Sequence, residues 1–406
     1  MDGLTLVVFG LVYLGMILGG IPGLAIDRTG IALLGAIVLL ATERVPLAEA
    51  WASIDASTLA LLLGLMVLSA QFRLGGAYSA IGRRLASASV PPARLLLWVV
   101  MVSAALSALL ANDIVCLAIA PLLIEGCRRR GFRPLPFLLA LACAANVGSA
   151  ATLIGNPQNM LIGQKLMMPF SGYLRDGLPP AVVGCAAVWG VIAWQFRGRW
   201  HEPASDLAVA APPLNVWQTV KGLLVLVALV AVFLDGRWPR DVAALGAAGL
   251  LLMSRRLHTG QMLALVDWQL LVLFAGLFVV NHALVATGAL ATGMDALGRS
   301  GVDVTRPAWL FAITAVLSNV VSNVPAVMLL LPTAQHAQAG AILALSSTLA
   351  GNLIVVGSIA NIIVVNQAEQ LGVGIGWREH ARTGVPVTLV TLAIAAAWLM
   401  LRSTAG

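Results

Sequence analysis

The sequence contains few charged residues: Asp, Glu, Lys and Arg together account for 10% of its 406 residues. About a quarter of the residues in an ordinary soluble domain are charged. Hydrophobic residues make up 60% of this chain, and a soluble protein of this length cannot cover so much apolar surface. The scarcity of charge therefore excludes a soluble globular protein and predicts an all-α polytopic membrane protein.

Cysteine is also scarce, and its positions argue against a disulfide framework. All four cysteines lie in or at the edge of apolar segments: Cys116, Cys127, Cys143 and Cys185. Small buried thiols are common in apolar cores. A soft-metal or arsenic site built from the first three stays open as an alternative, although their spacing matches no metal-binding motif. We expect no bound cofactor.

The net charge of +7 does not indicate a nucleic-acid partner. The basic residues form short clusters between apolar segments, and charge placed in this way reports the orientation of a chain in the bilayer. Asp2 precedes the first apolar run where a secretory leader would carry basic residues. We therefore expect no cleaved signal peptide.

Apolar segments long enough to span a bilayer predict about ten transmembrane helices. They lie at 4–23, 29–45, 57–74, 135–165, 178–196, 219–235, 241–254, 268–286, 338–366 and 384–402. Two further segments, 93–127 and 307–336, are too long for one span, and polar residues interrupt them at Asn112-Asp113 and Ser322-Asn323.

Flanking arginines predict that the 93–127 segment is a re-entrant hairpin. Arg83, Arg84 and Arg94 precede most of it, and three consecutive arginines follow it at 128–130. Basic flanks on both sides place both ends in the cytoplasm. The segment then enters and leaves by one face, which is tolerated where irregular backbone is buried in protein or lines a water-filled cavity. When the later spans are assigned in order from this orientation, the 307–336 hairpin opens to the outside and both termini lie outside.

Two broken helices are the most informative feature of the chain. The first break (residues 155–159, Gly-Asn-Pro-Gln-Asn) interrupts the 135–165 segment, and the second break (residues 357–361, Gly-Ser-Ile-Ala-Asn) interrupts the 338–366 segment 202 positions later. Interrupted apolar segments at matching places in two halves indicate the substrate site of a secondary transporter.

The repeat extends beyond the breaks. Ile54-Asp55 matches Val266-Asp267 at an offset of 212, and Asn112 matches Asn323 at 211. We predict a first inverted repeat over 1–177, a linking span and cytoplasmic linker over 178–218, and a second inverted repeat over 219–406. Asp55 and Asp267 stand before apolar segments, so we expect both to cap helices.

Residues at the two hairpin tips and the two breaks are the candidate substrate and ion ligands. Broken helices expose backbone N–H and C=O groups, and amide or hydroxyl side chains can serve either an anion or a cation. The candidates are Asn112, Asp113, Ser149, Thr152, Gly155, Asn156, Pro157, Asn159, Ser322, Asn323, Gly357, Ser358 and Asn361. The alternative is that they only cap half-helices and allow close packing.

Two ionisable residues at membrane depth are candidates for coupling. A carboxylate there costs about 3 kcal/mol, so Asp113 needs a cation, a proton or a partner unless it only caps a helix. A possible Na⁺ site combines Asn112, Asp113, Asn156, Asn323 and Ser358. His282 is a possible second proton carrier, and a packing role for it is equally open.

These motifs resemble those of the ion transporter superfamily, which includes divalent anion/sodium symporters, citrate transporters, arsenite permeases and NhaD-type antiporters. The resemblance runs from about Gly30 to Val365 and rests on Asn112-Asp113, the run at 146–159, Ser322-Asn323 and Asn361. The anion symporters carry Ser-Asn-Thr at both tips. Here the first tip reads Ala111-Asn112-Asp113, which is closer to the arsenite permeases and antiporters.

The resemblance implies a secondary active transporter of the bacterial inner membrane, embedded in the lipid bilayer, that works by alternating access and forms a homodimer. We expect an inorganic or small anion-like solute coupled to Na⁺ or H⁺. A Na⁺/H⁺ antiporter and a di- or tricarboxylate symporter remain open as alternatives. A channel is less consistent with two hairpins that close from opposite faces. A membrane enzyme would have to use Asp113 and His282 as its acid and base.

Overall fold

The computed structural model describes residues 3–20, 23–205 and 207–404, and over these ranges the regular secondary structure is helical apart from two isolated β-bridges. Asp2, on which the signal-peptide expectation rests, lies outside the described residues. The first half contains α1 (Gly3–Leu18), α2 (Arg28–Ala41), α3 (Leu47–Ser53), α4 (Ala56–Leu74), α5 (Ala77–Ser87), α6 (Pro92–Leu109), α7 (Asn112–Arg129), α8 (Pro134–Ser149), α9 (Pro157–Lys165) and α10 (Phe170–Gln195).

The second half repeats the order of the first. It contains α11 (Val216–Asp235), α12 (Arg240–Leu252), α13 (Thr259–Leu263), α14 (Trp268–Ala286), α15 (Ala289–Arg299), α16 (Pro307–Val321), α17 (Asn323–Leu330) followed by a 3-10 turn, α18 (Ala339–Ala350), α19 (Ile359–Gln370) and α20 (Trp377–Thr404). A second 3-10 turn precedes α19.

Among the described residues, six helices are long and apolar enough to cross a membrane singly: α4, α6, α10, α11, α14 and α20. Shorter apolar helices accompany them, including α1, α2, α8, α16 and α18. The predicted all-α polytopic fold is confirmed.

Both hairpins and both breaks fall where the polar residues predict them. Helices α6 and α7 form the first hairpin, and α16 and α17 form the second. Helices α8 and α9 flank the first break, and Pro157 begins α9 because the first turn of a helix needs no amide donor there. Asn156 caps α9 by accepting from the Asn159 amide at 2.9 Å, and Ser358 caps α19 by accepting from the Ala360 amide at 3.2 Å.

The two halves pack against each other through equivalent glycines. Helix α4 lies against α12, and α2 lies against α14. A Cβ on Gly64 would lie 2.6 Å from the carbonyl carbon of Ala244, and one on Gly276 would lie 2.8 Å from that of Ala32. Gly276 and Ala244 each stand 212 positions after their counterparts. The same close contact is thus made twice, which supports an internal repeat.

Several features differ from the sequence-based expectations. Helix α10 begins at Phe170 rather than at 178, so the predicted domain boundary at 177 falls inside it. Its first turns contain Asp176, which forms an ion pair with Arg402 at 3.1 Å. This ion pair compensates the charge of Asp176 within the helix, whereas hydropathy alone excludes a charged residue from the span. The short helices α5 and α15 were also not predicted, because each has one polar face and neither forms a continuous apolar run.

Candidate functional site

Asn146 in α8 joins the first broken helix to the second break. Its Oδ1 accepts from Ser358 Oγ at 2.8 Å. Its Nδ2 donates to Asn352 Oδ1 at 2.8 Å and to Asn361 Oδ1 at 3.1 Å. The Asn146 side chain is buried, so these hydrogen bonds satisfy polar groups that would otherwise be costly at this depth.

Thr348 in α18 joins the second broken helix to the first break. It stands 202 positions after Asn146 and is its repeat counterpart. Asn156 Nδ2 donates to Thr348 Oγ1 at 3.2 Å, and Gln158 Nε2 does so at the same distance. Each break is therefore held by the first half of the opposite broken helix.

The two breaks are linked by a chain of hydrogen bonds. Asn156 Nδ2 lies 3.0 Å from Ser149 Oγ, and Ser149 Oγ donates to the Asn146 carbonyl at 2.9 Å. Asn146 in turn accepts from Ser358. The structure thus links Ser149, Asn156 and Ser358 in one buried network.

Asn159 and Asn361 close the two breaks in the same way. Asn159 Nδ2 donates to the Thr152 carbonyl at 3.0 Å, and Asn361 Nδ2 donates to the Ile354 carbonyl at 3.2 Å. Asn361 also donates to the Gly351 carbonyl at 2.8 Å. Their amides satisfy carbonyls that the interrupted helices leave free. The structure thus gives both residues a role in holding the breaks.

Gly155 and Gly357 allow the breaks to approach the hairpins. A Cβ on Gly155 would lie 2.3 Å from the Ser149 carbonyl oxygen and 2.8 Å from that of Ser107. A Cβ on Gly357 would lie 2.7 Å from Asn319 Oδ1. Ser107 belongs to the first hairpin and Asn319 to the second. Only glycine fits this approach without displacing backbone or a buried amide.

The first hairpin tip presents a carboxylate to an internal cavity. Asn112 Nδ2 reaches Asn146 Oδ1 at 3.4 Å. Asp113 follows it and lines a cavity of about 200 Å³ together with Arg73, Asn156 and Asp267. The Asp113 carboxylate forms no hydrogen bond or ion pair with any described residue. An ionised carboxylate is costly in such surroundings unless a cation or a proton compensates it.

The second hairpin tip presents amide oxygens without partners. Within the described ranges, the buried Oδ1 atoms of Asn319 and Asn323 have no hydrogen-bond donor. Asn319 Nδ2 donates to the Ala350 carbonyl at 3.0 Å, which directs this amide toward the second break. Between them, Ser322 has a φ of 76°, in the region that favours glycine. Unpartnered oxygens beside a broken helix suit a coupling Na⁺.

A second cavity of about 260 Å³ is lined by Lys165, Asn281 and His282. Leu161 and Phe278, which line it, are the repeat counterparts of Ile363 and Met66 in the cavity of Asp113. The two cavities are thus equivalent by the internal repeat.

The structure does not bring His282 to Asp113. The His282 side chain is 41% exposed, and its Nε2 lies 3.8 Å from Glu49 Oε2. A proton-carrying role for His282 remains a prediction.

Asp55 and Asp267 cap helices as predicted. Asp55 Oδ1 accepts from the Thr58 amide at 2.7 Å, and Asp267 Oδ1 accepts from the Leu270 amide at 2.9 Å. Asp55 also pairs with Lys165 at 2.7 Å. Burial alone would raise the pKa of Asp55, but its bonds to Lys165 and Thr58 lower that pKa overall.

Several residues of the site were missed by the sequence-based prediction. Asn146 and Thr348 share the 202-residue offset of the breaks, and this signal could have identified both. The repeat gives no polar signal for Asn319 and Arg73. The counterpart of Asn319 is Ala108, and the counterpart of Arg73 is a valine.

No metal centre is formed among the residues that the structure describes. Cys116, Cys127 and Cys143 are free and buried, and no three His, Cys, Asp or Glu side chains in the described ranges are placed to hold a metal ion. The alternative of a soft-metal or arsenic site built from these thiols has no support in their geometry.

Two crossed broken helices between two re-entrant hairpins define a membrane transporter. The family model described as citrate transporter matches residues 6–342. The chain belongs to this citrate transporter family, within the ion transporter superfamily. It is a multi-pass protein of the bacterial inner membrane.

Relatives of known sequence support this assignment. An uncharacterized transporter of Mycobacterium tuberculosis is 32% identical over 380 residues, covering 86% of this chain and 87% of the relative. The silicon efflux transporter LSI3 of rice, Oryza sativa subsp. japonica, is 28% identical, covering 96% of this chain and 95% of the relative. The inner membrane protein YbiR of Escherichia coli is 30% identical, covering 82% and 85% of the two chains.

The fold also matches a solved structure. The YdaH transporter of Alcanivorax borkumensis, described as having an unusual topology, superposes with a TM-score of 0.58 over 97% of this chain and 95% of that one. Its sequence identity is 16%, so the likeness concerns the fold alone.

Proposed function

We propose that the protein is a secondary active transporter that moves a small inorganic or anion-like solute and couples this movement to H⁺ or Na⁺ through Asp113. The observation that carries the proposal is the carboxylate of Asp113, which lines a cavity at a hairpin tip and has no partner among the described residues. A gradient-driven carrier needs a group of this kind, whose charge changes or is compensated during the cycle.

The size and chemistry of the cavity favour a small solute. At about 200 Å³, it is below the roughly 300–1,000 Å³ of sites that hold drug-sized ligands. The first tip has Ala111 and Asp113 where dicarboxylate symporters carry hydroxyl residues. These features disfavour a di- or tricarboxylate. The similarity to a silicon efflux transporter supports a small inorganic oxyacid or oxyanion.

The repeat-equivalent cavities support alternating access. One cavity contains Asp113 and the other contains Lys165, and α9 of the first broken helix contributes to the lining of both. Under this proposal each cavity is the approach to the breaks from one face. A carrier that opens them in turn never forms a continuous pore, which distinguishes it from a channel. The family resemblance further leads us to expect a homodimer in the bilayer.

Unpartnered amide oxygens favour one specific alternative for the coupling reaction. Asn319 and Asn323 could hold Na⁺ at the second break while Asp113 takes a proton at the first tip. A protein with both groups could exchange Na⁺ for H⁺ without any further solute. We keep a Na⁺/H⁺ antiporter as the second candidate.

Transport in proteoliposomes tests both candidates. Labelled arsenite, silicate, phosphate, sulfate and citrate are followed under an imposed pH or Na⁺ gradient, and internal pH is recorded in parallel. Gradient-driven movement of one of the small inorganic solutes supports the proposal. Na⁺-dependent proton movement without any solute selects the antiporter. Single-channel currents, or transport of citrate alone, would overturn the proposal.

A further inference from the structure

A second candidate binding site lies far from the breaks, where α5, the end of α7 and the linker after α10 meet. A cavity of about 830 Å³ is found there. Four arginines line it: Arg83, Arg84, Arg129 and Arg130. Among the described residues that line it, Glu125 is the only carboxylate, so these residues carry three positive charges in excess.

The arginines are only partly compensated by the protein. Arg129 pairs with Glu125 at 2.9 Å, and the other oxygen of this carboxylate accepts from the Val209 amide. Arg83 Nη2 donates to the Ala211 carbonyl at 2.7 Å. Arg84 has no side-chain hydrogen bond or ion pair with any described residue. The carboxylate of Glu125 is thus already paired, and the described residues leave most of the positive charge of the arginines uncompensated.

Arg130 is held in a fixed orientation with one nitrogen unused. Its Nη2 donates to the Val90 carbonyl at 2.7 Å, and its guanidinium lies 4.4 Å from the centroid of the Phe132 ring. Its Nη1 is buried and has no hydrogen-bond acceptor among the described residues. An unpartnered buried nitrogen on a cation is costly. A ligand oxygen in the cavity would remove this cost.

We propose that this arginine cavity binds a phosphate group. Guanidinium groups form paired hydrogen bonds to phosphate oxygens, and basic pockets between helices on the cytoplasmic side of membrane proteins hold anionic lipid headgroups. The flanking arginines place the cavity on the cytoplasmic face by the same charge rule. The phosphate can come from an anionic phospholipid or from a soluble phosphate compound.

Occupation of this cavity would restrain the first hairpin. Helix α5 packs tightly on α7, where a Cβ on Gly126 would lie 2.4 Å from the Cβ of Ala86. Helix α7 begins with Asn112 and Asp113, and the opposite wall of the cavity is the linker at 209–211. A bound phosphate therefore connects the helix that carries Asp113 to the linker between the two halves.

Binding to the purified full-length protein tests the proposal. The protein is placed in phosphatidylcholine nanodiscs and titrated, in separate arms, with pyrophosphate and with short-chain phosphatidylglycerol at about physiological ionic strength. The variants are Arg84→Gln and Arg84→Gln/Arg130→Gln. The matched control is Arg378→Gln/Arg382→Gln, which removes the same charge from the same face outside the cavity.

We expect saturable binding of at least one probe, with an unchanged affinity in the control and a loss of tenfold or more in the double variant. Arg84→Gln should lose severalfold, and its side chain has no described partner whose loss could impair folding. Binding of phosphatidylglycerol alone identifies a lipid headgroup, and binding of both probes identifies the phosphate group itself. Absence of saturable binding, or equal losses in the cavity variants and the control, would overturn the proposal.

Discussion

Ser358 Oγ donates a hydrogen bond of 2.8 Å to Asn146 Oδ1, across 212 residues of sequence. This bond joins the second break to the first half of the opposite broken helix. Asn156 and Thr348 make the reciprocal contact at 3.2 Å. The central site is therefore built from both halves of the chain at once, and neither half could form it alone.

The Asn146–Ser358 bond should be energetically coupled. Asn146→Ala leaves buried polar groups of the second break without a partner, so we expect a loss of about 1–3 kcal/mol in stability and a loss of transport. In a double-mutant cycle with Ser358→Ala, the double variant should be little less stable than Asn146→Ala, because both changes remove the same bond. Thermal unfolding in nanodiscs measures these effects. Strictly additive losses would contradict the coupling.

Asp113→Asn should abolish ion-coupled transport while the protein remains folded and inserted. The amide keeps the shape of the side chain but can neither carry a proton nor neutralise a cation. Asp267→Asn is the matched control, since it removes a carboxylate from the same cavity and asparagine still caps a helix. Gradient-driven uptake in proteoliposomes is the measurement. Full uptake by Asp113→Asn would mean that this carboxylate only begins α7.

Gly155→Ala and Gly357→Ala should each disrupt a break. The added methyl group would meet the Ser149 carbonyl at 2.3 Å in the first case and Asn319 Oδ1 at 2.7 Å in the second. We expect a loss of about 1–3 kcal/mol and impaired transport from each. Gly190→Ala in α10 is the control, because nothing lies within 4 Å of its added methyl group. Equal melting temperatures for all three variants would refute the close approach.

Ser322→Gly should stabilise the folded protein. Ser322 has a φ of 76° and a ψ of 159°, a combination that glycine adopts far more readily than serine. Relief of this strain is worth about 1 kcal/mol, and thermal unfolding would detect it. Ser322→Ala keeps the strain and serves as the control. An increase in stability for alanine but not glycine would show that the hydroxyl, rather than the backbone, determines the effect.

The Asp55–Lys165 pair should make stability depend on pH in the acid range. The pKa of Asp55 is lowered from 3.8 in the folded protein. The contribution of Asp55 to stability is therefore fully present above the pKa of the unfolded chain, and it is lost as the pH falls through the lower pKa of the folded protein. Asp55→Asn retains a capping side chain and should cost about 1 kcal/mol or less at pH 7.

Melting curves of wild type and Asp55→Asn should accordingly converge as the pH falls below about 4. Asp267→Asn, the repeat counterpart with no ion pair to a described residue, provides the comparison. A difference between wild type and Asp55→Asn that persists unchanged at low pH would contradict an electrostatic contribution from the pair.

Part of the candidate site could be predicted from local sequence alone. Asn156, Pro157 and Ser358 interrupt apolar segments, and such residues begin or cap helices wherever they occur. Asp113 was identifiable because a carboxylate is rare within an apolar run. Asn319 was not, because a single amide in a helical segment does not reveal whether its oxygen will find a donor.

The sequence by itself determined the membrane fold, the two hairpins, the two breaks and the offset that relates them. Lipid offers the backbone no hydrogen bonds, so a helix can be interrupted only where polar residues and glycine or proline compensate, and these are readable along the chain. Only the tertiary structure decided that Asn146 meets Ser358, that Arg73 lies in the cavity of Asp113, and that His282 lies in the other one. Those contacts depend on how two halves about 200 residues apart cross, and no local pattern encodes the crossing of helices distant in sequence.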